Sequence, residues 1–266
     1  MTPVAKLMLL SLLLPLAACK KVIDVTLNDA GPRIVITGDV TNAPGPYIVR
    51  IAQSVSVNND NTFPPVRGAR VIITATDGTR DSLAETTPGQ YATTLVWPGK
   101  PGITYTLSVN TAGQTYTASS TMPAPVPLDS VGFQNDPTGF RGKNQIEAIP
   151  YYQDPAGRDN YYQFTVSING MPYTKRVFVS SDRLSDGKYV SRRLNTDSAL
   201  KAGNTLLLSM YCIDKPVYDY LSTLNDVSDA GSFSSVTPAN PGSNLSNEAL
   251  GYFSAHTIQF KQVLVH

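Results

Sequence analysis

Histidine and cysteine are nearly absent, with two of each in 266 residues. That scarcity argues against a conventional zinc site, which draws on Cys and His at close spacing. It also leaves little for a Ser-His-Asp hydrolase, whose base is most often histidine. His256 lies in the strand-like run Tyr252-Phe253-Ser254-Ala255-His256-Thr257-Ile258, with no nucleophile-elbow glycines around any serine, and reads as structural; His266 is C-terminal. An excess of one charge is missing as well. Lys and Arg number 21 against 20 Asp and Glu, so no field exists to hold a polyanion, and no nucleic-acid partner is expected. Glycines stand alone or beside prolines, so no phosphate-cradling loop is visible. The acids Asp77, Asp81, Asp154, Asp159, Asp182 and Asp186 are scattered through turns, and no spacing singles out a catalytic pair.

What the chain does have begins at its N-terminus. Lys6 precedes the apolar run Leu7 to Leu14, and the small-residue stretch Leu16-Ala17-Ala18 leads into Cys19. This is the layout of a secretory signal peptide. The run is far shorter than the roughly 20 residues that span a bilayer. Leu16, Ala17, Ala18 and Cys19 together resemble a bacterial lipobox, so residues 1–18 are expected to be cleaved and Cys19 to carry lipid, anchoring the protein to a membrane. An ordinary signal peptide beside a chance cysteine is the alternative. The remaining cysteine, Cys212, then has no disulfide partner within the chain, and its apolar surroundings suggest a buried, inert thiol.

Residues 19–32 read as a polar tether. From residue 33 the pattern becomes short β-branched and aromatic runs: Arg33–Thr37, Pro46–Ile51, Arg70–Thr74, Gln90–Leu95, Thr104–Val109 and Gln114–Ala118. They are separated by breakers such as Asp77-Gly78 and Pro88-Gly89. An immunoglobulin-like β-sandwich is expected over 33–122. The stiff segment Met122-Pro123-Ala124-Pro125-Val126-Pro127 marks a boundary, and a second β-rich, antiparallel domain is expected over 128–266. In that region Asn169-Gly170 is suited to a two-residue hairpin turn, with residues 173–179 returning antiparallel to Asn160–Ile168. One helix is expected after Asp214, with Asp214 as N-cap, Pro216 in the first turn, and Val217, Tyr220, Leu221 and Leu224 on one face. Residues 227–247 read as a long loop, and 250–265 as a closing strand or strand pair.

Two features offer binding chemistry. Asn58-Asn59-Asp60-Asn61-Thr62 presents oxygen donors in a loop, but it lacks the glycine and terminal glutamate of an EF-hand, so a solvated turn competes with a calcium site. Tyr151-Tyr152 and Tyr161-Tyr162 flank one loop and could contact a ligand or partner. The competing reading is that one tyrosine of each pair is core, because successive strand residues face opposite sides.

The lipobox and Cys19-Lys20-Lys21-Val22-Ile23-Asp24, then Pro32–Gly38, Gly45-Pro46-Tyr47 and Gly68-Ala69-Arg70-Val71, resemble the DUF4249 lipoproteins of Bacteroidota. Asn160–Phe164, Leu184–Lys188, Val217–Tyr220, Asn240–Leu245 and Ala249–Ala255 extend the resemblance over nearly the whole mature chain. It implies an outer-membrane lipoprotein working beside a TonB-dependent receptor in nutrient uptake. It implies no catalytic residues, and it names no ligand, small molecule or glycan. No cofactor or metal is expected, and no enzymatic activity. A cell-surface adhesin or structural envelope lipoprotein is the alternative function; a hydrolase using Asp154 and Asp159 is a third. Lys20 is not the aspartate that commonly retains lipoproteins in the inner membrane, and Asp24 stands late for a surface-display signal, so both leaflets stay open.

Overall fold

Period-two burial runs through the first half of the chain, as strands with one covered face require. The computed structural model describes residues 31–55, 63–137, 145–197, 199–229 and 240–266. Seven strands come first: β1 (Ile34–Thr41), β2 (Ile48–Gln53), β3 (Arg70–Ala75), β4 (Arg80–Thr87), β5 (Gln90–Ala92), β6 (Thr104–Thr111) and β7 (Gln114–Thr121). Their inward residues, among them Ile36, Val49, Ile51, Ile73, Tyr91 and Leu107, form one buried core. β4 has only Leu83 and Ala84 as apolar residues and no sequence expectation marked it as a strand. It holds its place through Asp81, whose buried carboxylate accepts bonds from Thr94 Oγ1 at 2.7 Å and Leu95 N at 3.0 Å. Residues 80–83 of β4 pair with β3, and residues 84–87 pair with β5 across a register shift. One strand therefore serves both layers of the sandwich.

The second half contains β8 (Ser130–Asp136), β9 (Gln145–Gln153), β10 (Tyr161–Ile168), β11 (Met171–Pro172), β12 (Phe178–Ser181), β13 (Tyr189–Ser191), β14 (Thr205–Ile213), the helix α1 (Lys215–Asp229) and β15 (Leu250–Leu264). β13, β9 and β8 make a three-stranded sheet. β10, flanked by β11 and β12, pairs with β14. Ala148 and Tyr152 of β9 share a core with Phe164, Val166, Leu208 and Met210 of β10 and β14. The chain is thus mostly β, an immunoglobulin-like sandwich followed by a second β region with one helix among the described residues.

Asn169 and Gly170 take φ of 52° and 81°, the left-handed pair that a tight hairpin turn needs. The expected return over 173–179 is interrupted, because only Met171–Pro172 and Phe178–Ser181 are strand. Between them Tyr173 Oη donates to Asp197 at 2.9 Å and Arg176 pairs with the same carboxylate at 2.9 Å, contacts that lie off the ladder.

α1 begins as expected. Asp214 Oδ1 accepts the Val217 N–H at 3.3 Å, and Val217 and Leu221 are buried against Ile213. The other oxygen, Oδ2, accepts from Ser120 Oγ at 2.7 Å and Thr121 N at 3.2 Å. The cap therefore also ties the helix to β7 of the first sandwich.

The expected division into 33–122 and 128–266 misses one long-range event. The chain leaves the first core at Met122 and enters the second at Val126, but it later crosses back. Residues 250–256 of β15 pair parallel with β1, and residues 257–264 pair antiparallel with β14. Leu245, Ala249, Phe253 and Ala255 pack in the first core and Val265 in the second. Pro32–His266 accordingly form one compact unit. The parallel contact is close: Gly251 has φ of 93°, and a Cβ there would lie 2.9 Å from the Ile36 carbonyl carbon and nearer still to its oxygen.

Candidate functional site

Leu16, Ala17, Ala18 and Cys19, and the oxygen-rich loop Asn58–Thr62, lie outside the described residues. The four tyrosines are described, and they do not form one patch. Tyr152 and Tyr162 are each 1% exposed and pack ring to ring at 4.9 Å in the second core. Neither can meet a partner, which corrects the expectation that all four could. The cause is strand alternation: Tyr151 faces outward to stack on Tyr189 at 6.3 Å, and Tyr161 packs on Tyr218 of α1 at 4.9 Å.

Tertiary structure does gather three acids that look dispersed in the sequence. Carboxylate oxygens of Asp154, Asp182 and Asp186 lie within 4.8 Å of one another, a hard-donor set of the kind calcium uses. Each, however, is already engaged. Asp154 accepts a short bond from Tyr162 Oη and a 3.3 Å bond from Gly187 N. Asp182 accepts from Asn160 N at 2.7 Å, and Asp186 from Gly157 N at 2.8 Å. These bonds clasp the loop 154–160 to the loop 182–188 and satisfy backbone amides that strands do not pair. Burial pushes the Asp154 carboxyl up from its ordinary value. Asp159, the second acid of the hydrolase alternative, is exposed and stands apart from this cluster.

A crevice of about 370 Å³ opens where β15 passes from pairing with β1 to pairing with β14, lined by Asp39, Arg50, Tyr211, Tyr252, Ser254 and His256 among others. Ser254 Oγ lies 2.9 Å from His256 Nδ1, and the imidazole meets the Tyr211 ring edge-on at 5.1 Å. Burial depresses the His256 pKa to about 4, so the ring is neutral and a weak base at pH 7. Ser254 is 2% exposed, which keeps its hydroxyl from a substrate. Burial raises Asp39, an effect that Arg50 partly offsets, and pushes Tyr252 to about 12. The pair Ser254–His256 thus behaves as a packed hydrogen bond, in keeping with a structural histidine.

A wider cavity of about 800 Å³ lies between β12, the loop that follows it, residues 190–193 and one face of α1. Arg183, Arg192 and Arg193 are on its walls, together with the hydroxyls of Ser180, Ser191 and Ser222. Arg192 donates to Ser180 Oγ at 2.9 Å. The clasp described above holds one wall, because Ser185, which lies between Asp182 and Asp186, also lines the cavity. No expectation from sequence singled out these residues. Arg192-Arg193 is a visible basic pair, but Arg183 comes from a different loop and only folding brings it near.

The profile of a family described as "Domain of unknown function (DUF4249)" matches residues 20–262. No curated protein sequence matches the chain. Among solved structures it is similar to a two-domain fibronectin type-III segment of chicken tenascin, with 12% identity, 69% of this chain and 91% of that chain covered, and a TM-score of 0.22. It is also similar to a DUF4785 family protein of Legionella pneumophila subsp. pneumophila str. Philadelphia 1, with 12% identity, 68% and 52% covered, and a TM-score of 0.24.

Proposed function

The chain belongs to the DUF4249 family, and on that premise we propose that it is a lipid-anchored, non-enzymatic binding module of the outer membrane, accessory to a TonB-dependent receptor in nutrient uptake. The observation that carries this reading is the open cavity beside α1, whose polar walls come from three separate segments. Its volume lies in the range of small-molecule sites, roughly 300–1,000 Å³. The Asp154–Asp182–Asp186 clasp holds the loop that forms one wall, so the site is pre-organised and loses less entropy on binding. Anchoring rests on the lipobox ending at Cys19. A tether confines the module near its receptor and raises effective concentration without any new contact.

Two measurements test the proposal. Cys19→Ala is expected to release the protein from membrane fractions, and affinity purification from solubilised outer membranes is expected to recover a TonB-dependent receptor. A Cys19→Ala chain still fully membrane-bound, or a purification that recovers no such receptor, would overturn it. Protease treatment of intact cells separates the adhesin alternative, which requires a surface-exposed chain.

A further inference from the structure

We propose that the cavity beside α1 is an oxyanion site, which takes a small solute through a carboxylate, phosphate or sulfate group; this rests on the binding-module reading. Among the described residues, three arginines and no carboxylate line it. Among the described residues Arg183 has no carboxylate partner, and Arg192 hydrogen-bonds only the neutral Ser180 hydroxyl. Arg193 forms a long ion pair with buried Glu147 at 3.9 Å, and its own side chain stays 57% exposed. The nearby acids are engaged elsewhere, since Asp182 and Asp186 accept backbone N–H groups of the 154–160 loop and neither lines the cavity. One short segment thus sorts its charges, with Arg183 at the cavity and its aspartates at the clasp.

Guanidinium forks match the geometry of planar or tetrahedral oxyanions and bind them through paired N–H donors. A concave wall of protein concentrates their field. Ser191 and Ser222 add hydroxyls that can bond the rest of a polar solute, and half-buried Tyr218 offers an aromatic face. A neutral solute would displace water from three cations and return less to them. The arginines gather in a cavity and do not form an extended stripe, so the fit is to a small anion and not to a polyanion.

The test is calorimetric titration of the detergent-solubilised full-length chain with inorganic phosphate, sulfate and glucuronate, with glucose as the neutral control. At least one oxyanion is expected to bind, more weakly as salt rises, and glucose is not. Arg183→Gln and Arg192→Gln are each expected to weaken binding by about tenfold, the typical value of a charge-assisted hydrogen bond. Arg80→Gln, on the exposed start of β4, is expected to leave it unchanged. Glucose binding as tightly as glucuronate, or oxyanion binding indifferent to both cavity arginines, overturns the anion assignment while leaving the binding module intact. Binding to phosphatidylglycerol vesicles with none of the soluble oxyanions also overturns it, in favour of a lipid surface. Failure to recover a receptor bears on the proposed function alone and does not touch this titration.

Discussion

Replacing Gly251 by alanine probes the contact that joins the two halves of the protein. Gly251 sits opposite Ile36 in the parallel ladder of β15 and β1, with φ of 93°. An L-residue in the left-handed region costs about 1–2 kcal/mol. The new methyl would also overlap the Ile36 carbonyl, a backbone group that cannot rotate away. Relief requires β15 to move off β1, which weakens the flanking rungs at about 1 kcal/mol each. It also loosens Phe253 and Ala255 in the first core. The sum is about 3–5 kcal/mol, a large share of the ~5–15 kcal/mol that stabilises a typical domain. Gly170→Ala supplies the internal control, because φ there is 81° but nothing lies within 4 Å of a Cβ; only the ~1–2 kcal/mol conformational cost applies. Urea unfolding of both variants, followed by fluorescence at one pH, measures the difference. Two variants equal to within about 0.5 kcal/mol, the scatter of an ordinary surface change, would refute the argument that the β1 backbone blocks this site.

Acid is expected to destabilise the protein through His256, whose folded pKa of about 4 lies below the ordinary histidine value of 6.5. Between these values the unfolded chain binds a proton that the folded chain refuses, so stability falls as pH drops from about 6.5 to about 4, by ~3 kcal/mol in total. Asp39 in the same crevice has a raised pKa and works in the opposite sense, so the comparison is with His256→Gln, whose stability should lose less over this interval; equal slopes would show that His256 titrates normally. Tyr162→Phe removes the donor to buried Asp154 and is expected to cost about 1–3 kcal/mol, measured by urea unfolding and by faster amide exchange at Gly157 and Gly187. Asp214→Ala deletes both the α1 cap and the bonds to Ser120 and Thr121, and should cost about 2–3 kcal/mol, whereas a cap alone is worth about 1 kcal/mol. Asp214→Asn, which keeps an acceptor oxygen, should recover part of that loss when all three chains are compared by urea unfolding.

The sequence by itself determined what is local. Alternation placed strands within a few residues of β1, β2, β3, β6 and β7, because inward and outward positions follow a period of two. Asn169-Gly170 specified its turn and Asp214 its cap, since each acts on backbone groups no more than three residues away. The same alternation meant that only one tyrosine of each adjacent pair could face outward. The local pattern missed β4, because its inward polar residue is satisfied by partners 13 and 14 residues away. Only tertiary structure decided that β15 would divide itself between β1 and β14, a choice set by which distant strands offer an apolar face and free backbone groups. The same holds for both candidate binding features. Bonds spanning 22, 29 and 33 residues clasp the aspartates, and the cavity arginines come from two segments that face a helix. Solvated charges follow no burial periodicity, so their neighbours are fixed only when the cores beneath them close.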